Sequence, residues 1–164
     1  MIASISPWQH MRFHIFGVSQ PKDDQLEVVA RIGEHQDTIL IAGCGWGKTL
    51  VYYLPLALWQ DKTVVIVTHL TALGDEQSQR LIDKNIASVN LKGTSNKTSV
   101  SELVQGHYQA VFMSLEILFE SGHYVNLWDN ESWKDRLLAI IIDEAHCVSN
   151  WKTFRNSYLS IKEL

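Results

Sequence analysis

The chain has 164 residues, 46% of them apolar, and a net charge of −4, values that suit one folded domain with a buried core rather than a disordered chain. The acidic balance argues against gripping nucleic acid by bulk charge and leaves only a local groove for such contact. No apolar run approaches the roughly 18 residues of a membrane span, the opening MIASISPWQHMRFHIF lacks the order of a secretory signal, and two cysteines make no disulfide framework, so an intracellular protein that meets no membrane is expected.

In chain order, DDQLEVVARI (23–32) carries apolar residues at three- and four-residue spacing and predicts a helix. TILIA (38–42) predicts a strand, and KTLVYYLPLALW (48–59) a helix in which Pro55 should cause a kink. The pattern then repeats. TVVIVT (63–68) predicts a strand, TALGDEQSQRLIDK (71–84) a helix, IASVNL (86–91) and QAVFM (109–113) strands, LEILFE (115–120) a helix and LLAIII (137–142) a strand. Strands alternating with helices imply right-handed crossovers and a mostly parallel sheet covered on both faces, a three-layer α/β fold. In such sheets ligands bind beyond the carboxyl ends of the strands.

Two segments sit at those ends. AGCGWGKT (42–49) joins a predicted strand to a predicted helix, and Gly43, Gly45 and Gly47 permit the sharp turn and close backbone approach that a phosphate cradle needs. Backbone N–H groups and the helix start would face the phosphates. Lys48 would reach the β- and γ-phosphates, and the Thr49 hydroxyl would join magnesium. The second segment, AIIIDEAHCVSNW (139–151), runs an apolar strand straight into two acids. Asp143 would hold magnesium through water, Glu144 would orient or deprotonate an attacking water, and His146 would sit where it can sense the γ-phosphate. ATP and Mg2+ are the cofactors this pair of motifs requires. The seven histidines include no HExxH or CxxC-like spacing that would mark another metal site. Trp46, inside the loop, reads as a partly exposed aromatic.

These segments resemble the first RecA-like domain of RecQ-type helicases, superfamily 2 proteins of the DEAD/DEAH kind. DEAHCVSNW is close to that family's DEAHCISQW, GWGKTLVYYLP to GGGKSLCYQIP, VTHLTALGDEQ to SPLISLMxDQ, MSLEIL to ISPERL, and the tail TFRNSY to DFRPEY. FGVSQPKDDQ (16–25) is similar to the adenine-recognition segment FGYxxFRxxQ. The resemblance covers residues 16–164 in the family's motif order. It implies a P-loop NTPase (RecA-like) domain over 15–164, incomplete at its C-terminus, behind an N-terminal extension at 1–14. It also implies an ATP-dependent 3′–5′ DNA helicase acting on single-stranded or forked DNA, in the nucleus if the source is eukaryotic. Gln25 would meet the adenine edge and Lys22 would stand where an arginine usually stacks. DNA would be touched around Thr68 and Ser114, while Trp151, Phe154 and Arg155 would couple DNA engagement to hydrolysis, aromatics and arginine suiting single strands.

The departures are specific. WKTFR is one residue shorter than the family's WGHDFR and lacks its histidine, His69 and Leu115 stand at proline positions, and Lys22 cannot stack as a planar guanidinium does, which implies weaker nucleotide binding. The second RecA-like domain, source of arginine fingers worth about 10³ to 10⁵ in rate, lies outside the 164 residues, so the chain alone is expected to be catalytically incomplete. Two other readings are open: a degenerate, non-catalytic nucleotide or nucleic-acid binding remnant with the same fold, and an unrelated P-loop enzyme such as a small-molecule kinase.

Overall fold

A computed structural model of the chain describes residues 13–92, 98–120, 122 and 124–145. After a 3₁₀ turn at Phe13–Phe16, the elements are α1 (Asp23–Gly33), α2 (Lys48–Leu58), β1 (Thr63–Val67), α3 (Thr71–Ile82), β2 (Ser88–Asn90), α4 (Val100–Val104), β3 (Ala110–Met113), α5 (Leu115–Glu120), a 3₁₀ turn at Val125–Leu127, α6 (Glu131–Arg136) and β4 (Leu137–Ile142). The four strands form one sheet in the order β2-β3-β1-β4, and every pair is parallel. The α/β expectation therefore holds.

β1 is buried along its whole length, as a β-branched run flanked on both sides must be. Its side chains alternate between two cores. Val65 and Val67 join Val111, Met113, Leu103, Leu115, Leu118 and Trp133 on the face covered by α4, α5 and α6. Val64 and Ile66 join Phe112, Tyr52, Leu56 and Leu81 on the face covered by α2 and α3. A smaller cluster of Val29, Val51 and Leu54 locks α1 onto α2. Helices thus cover both sides of the sheet, which makes three layers.

Seven consecutive residues of α2, from Val51 to Ala57, are buried, and the helix runs on through Pro55 to Leu58. Proline costs α2 one backbone bond, which burial of nearly all round the helix offsets. The short helices α4 and α6 were not expected from periodicity. Each has a local signal, since Ser99 caps α4 by accepting from the Glu102 N–H at 3.2 Å and Asn130 caps α6 by accepting from the Trp133 N–H at 3.1 Å.

One expectation fails. Residues 38–42 are not a strand: they lie outside the sheet, with Ile39 90% and Ile41 93% exposed. The alternating isoleucines suit a strand, but a strand forms only where its N–H and C=O groups meet a neighbour. Among the described residues no strand lies beside 38–42, and β4, half-buried on most of its residues, ends the sheet.

Phe112 is fully buried between β3's neighbours and α2. Phe112→Ala is expected to lower unfolding free energy by about 3–5 kcal/mol, read as a fall in the urea midpoint at unchanged slope.

Candidate nucleotide site

Parallel register assembles the site. Val67 pairs with Met113 on one side and Ile142 on the other, so β1, β3 and β4 end on one line. The pairing continues one bond further on each side, because the Thr68 N–H donates to the Met113 carbonyl at 2.9 Å and the Asp143 N–H donates to the Val67 carbonyl at 3.0 Å. Thr68, Ser114 and Asp143 are therefore neighbours at the carboxyl edge.

The glycine loop leads into α2, whose Tyr52 reaches Asp143 at this edge. Gly45 and Gly47 take left-handed backbone angles, φ 75° and 97°, and Gly47 is the residue from which α2 starts at Lys48. Gly47 has a second reason to lack a side chain, since a Cβ there would stand 2.7 Å from Gln25 Nε2. Gly43 faces open space. Lys48 Nζ folds over the loop and donates to the Ala42 carbonyl at 3.1 Å and, at 3.5 Å, to that of Gly43. The set fits a triphosphate: an ammonium, a glycine turn and a helix start converge where anionic oxygens would be neutralised.

Both residues assigned to adenine lie against this loop. Gln25 is 3% exposed; its Nε2 donates to the Trp46 and Gly47 carbonyls, each at 3.3 Å, and its Oε1 accepts from the Lys22 N–H at 2.9 Å. Its two amide protons are therefore engaged, and an oxygen lone pair remains. Lys22 Nζ donates to the Trp46 carbonyl at 2.9 Å and lies 5.3 Å from the centre of the Trp46 ring, a cation–π arrangement. Trp46 is thus more than a partly exposed aromatic. It carries the link between α1 and the loop.

The two motifs meet through a residue the sequence reading missed. Tyr52, 4% exposed, places its hydroxyl 3.4 Å from Asp143 Oδ2 and lies on the helix whose first turn carries Lys48 and Thr49. Burial raises the Tyr52 phenol well above its ordinary range, so it stays protonated. Its neighbour Tyr53, which donates to Gln77 on α3, is pushed up to about 12, also by burial. The clue to Tyr52 was its spacing, three residues after Thr49 and four after Lys48, which puts all three on one helix face.

Asp143 and Glu144 are half-buried. Glu144 has a left-handed backbone, φ 52°, a conformation that costs a non-glycine residue about 1–2 kcal/mol. Its N–H donates to Asp143 Oδ1 at 3.0 Å, closing the turn just where a site is expected to hold strain. Thr68 is 3% exposed and its hydroxyl donates to the Leu70 carbonyl at 3.3 Å, so the exposed surface beyond β1 is offered by Leu70 and Thr71. Ser114 is half-buried and its carbonyl opens α5 by accepting from the Leu118 N–H at 3.1 Å. His146, Trp151, Phe154 and Arg155 lie outside the described residues.

A glycine loop that opens a helix beside two acids at the end of a parallel strand defines the P-loop NTPase class of α/β domain. Within that class the chain belongs to the DEAD/DEAH box helicases, whose family profile matches residues 22–164. It is similar to several RecQ-type relatives. It is 29% identical over 161 residues to the ATP-dependent DNA helicase Q-like 2 of Arabidopsis thaliana, covering 94% of this chain and 23% of that protein. It is 31% identical over 152 residues to the ATP-dependent helicase wrn-1 of Caenorhabditis elegans, covering 91% and 14%. It is 31% identical over 162 residues to the probable ATP-dependent DNA helicase RecS of Bacillus subtilis, covering 95% and 31%. The chain spans less than a third of each of these relatives. Among solved structures, the DUF1998 helicase MrfA bound to DNA and AMPPNP superposes with a TM-score of 0.67 at 21% identity, over 90% of this chain and 22% of that one, a likeness of fold.

Gly47→Ala is expected to cost about 1–2 kcal/mol from its backbone angle and to displace Gln25 as well. A urea titration of Gly47→Ala beside Gly43→Ala, whose position faces open space, should show the larger loss at Gly47.

Proposed function

We propose that the chain is the ATP-binding motor domain of a RecQ-like 3′–5′ DNA helicase that couples ATP hydrolysis to DNA unwinding. The observation that carries this is the contact of Tyr52, on the helix that the glycine loop opens, with Asp143 of the acid strand at one sheet edge.

In this reading Lys48 exchanges the Ala42 and Gly43 carbonyls for the β- and γ-phosphates, while the N–H groups at the start of α2 receive phosphate oxygens. Thr49 and Asp143 would hold magnesium, which when bound neutralises charge on the phosphates. Glu144, turned by its left-handed backbone, would orient the attacking water. Lys22 and Gln25 would line the adenine side, Gln25 with the lone pair it has left. His146 is assigned the γ-phosphate, as in the motif it belongs to.

DNA backbone contacts are assigned to the segments after β1 and β3, around Thr68 and Ser114, because these leave the same edge as Asp143. Trp151, Phe154 and Arg155 are the proposed coupling segment. A second RecA-like domain would supply arginine to the developing charge, and hydrolysis by the 164 residues alone is expected to be slow.

Titration with a fluorescent ATP analogue and magnesium is expected to show binding by the wild-type chain and at least tenfold weaker binding by Lys48→Ala. Equal affinities would overturn the site assignment.

A further inference from the structure

We propose that Tyr52 is the positioning residue of this site: its hydroxyl is a strut that ties the Asp143 carboxylate to α2, whose first turn carries Thr49, and so fixes how the two residues that would hold magnesium stand relative to each other. The inference rests on the nucleotide reading above and adds to it a residue outside both motifs' recognised chemistry.

The ring is held firmly. It packs in the core that contains Val64 and Ile66 of β1, Phe112 of β3 and Leu138 of β4, and it stands edge-on to Tyr53, with ring centres 5.3 Å apart and planes at 86°. Three strands and its own helix therefore determine where the hydroxyl emerges. Because α2 is buried from Val51 to Ala57, the strut has a rigid base.

The direction of the hydrogen bonds follows from the donor inventory. A carboxylate oxygen accepts, so the Tyr52 O–H donates to Asp143 Oδ2. Asp143 is held at both oxygens, Oδ2 by Tyr52 and Oδ1 by the Glu144 N–H at 3.0 Å. This sets its plane while leaving a lone pair on each oxygen. At 3.4 Å the Tyr52–Asp143 bond is longer than the usual O–H···O distance of about 2.7–2.8 Å.

Tyr52→Phe keeps the ring and removes the strut. In the full 164-residue chain its affinity for the fluorescent ATP analogue in EDTA should match wild type, and its thermal midpoint should stay within a few degrees. The magnesium concentration that half-completes the metal-dependent gain in nucleotide affinity should rise about tenfold, the lower end of what loss of an outer partner costs a metal site. On an Asp143→Asn background the same substitution should add no further shift. An unchanged magnesium midpoint in Tyr52→Phe would overturn the proposal, as would an equal loss of affinity with and without metal, the mark of a merely structural residue. A wild-type chain that bound no nucleotide at all would instead overturn the nucleotide reading, and this inference with it.

Discussion

Everything at the site hangs from the two-sided pairing of β1. Val67 is in register with Met113 on one flank and Ile142 on the other, so three chains leave the sheet together and carry Thr68, Ser114 and Asp143 to one edge. A one-residue slip of β4 would turn Asp143 toward the opposite face. The slip is opposed by the buried runs of β1 and β3, whose side chains interdigitate with helices above and below. Parallel strands need such cover on both faces, and here the cover and the site share residues.

α2 shows this sharing most directly. Its body is core, while its first turn is the glycine loop's exit. Burial of Val51, Leu54 and Leu56 fixes the axis along which the helix start points, and with it the positions of Lys48 and Thr49. Tyr52 belongs to both roles, with a ring in the core and a hydroxyl at the edge. α1 adds a second restraint through Gln25 and Lys22, whose bonds to the loop's own carbonyls hold the turn between Gly45 and Gly47. The cradle is thus braced from two helices.

Much of this was legible beforehand. The runs at β1 and β4 and the periodic segments at α1, α2, α3 and α5 read correctly because their apolar patterns are long or continuous relative to the element. α4 and α6, five and six residues long, were not read as helices, although the capping residues Ser99 and Asn130 mark their starts. Residues 38–42 read as a strand and are not one, since local pattern says that a segment can pair but not what it pairs with. The site divides in the same manner. The positions of Lys48 and Thr49 at a helix start and of Asp143 and Glu144 after a strand were readable from motif and spacing, whereas the bracing of Trp46 by Lys22 connects residues 24 apart in sequence and gave no local sign.

The sequence by itself determined the chemistry available to this domain: a glycine turn opening a helix, an ammonium and a hydroxyl at its start, and two acids at the end of an apolar strand. These are properties of short segments, set by backbone freedom and residue type within a few positions. Only the tertiary structure decided that the two halves meet, through a tyrosine 91 residues from the aspartate it touches, and that the isoleucines of 38–42 stay outside the sheet. Both outcomes depend on which distant segments pack together, and no local pattern carries that information.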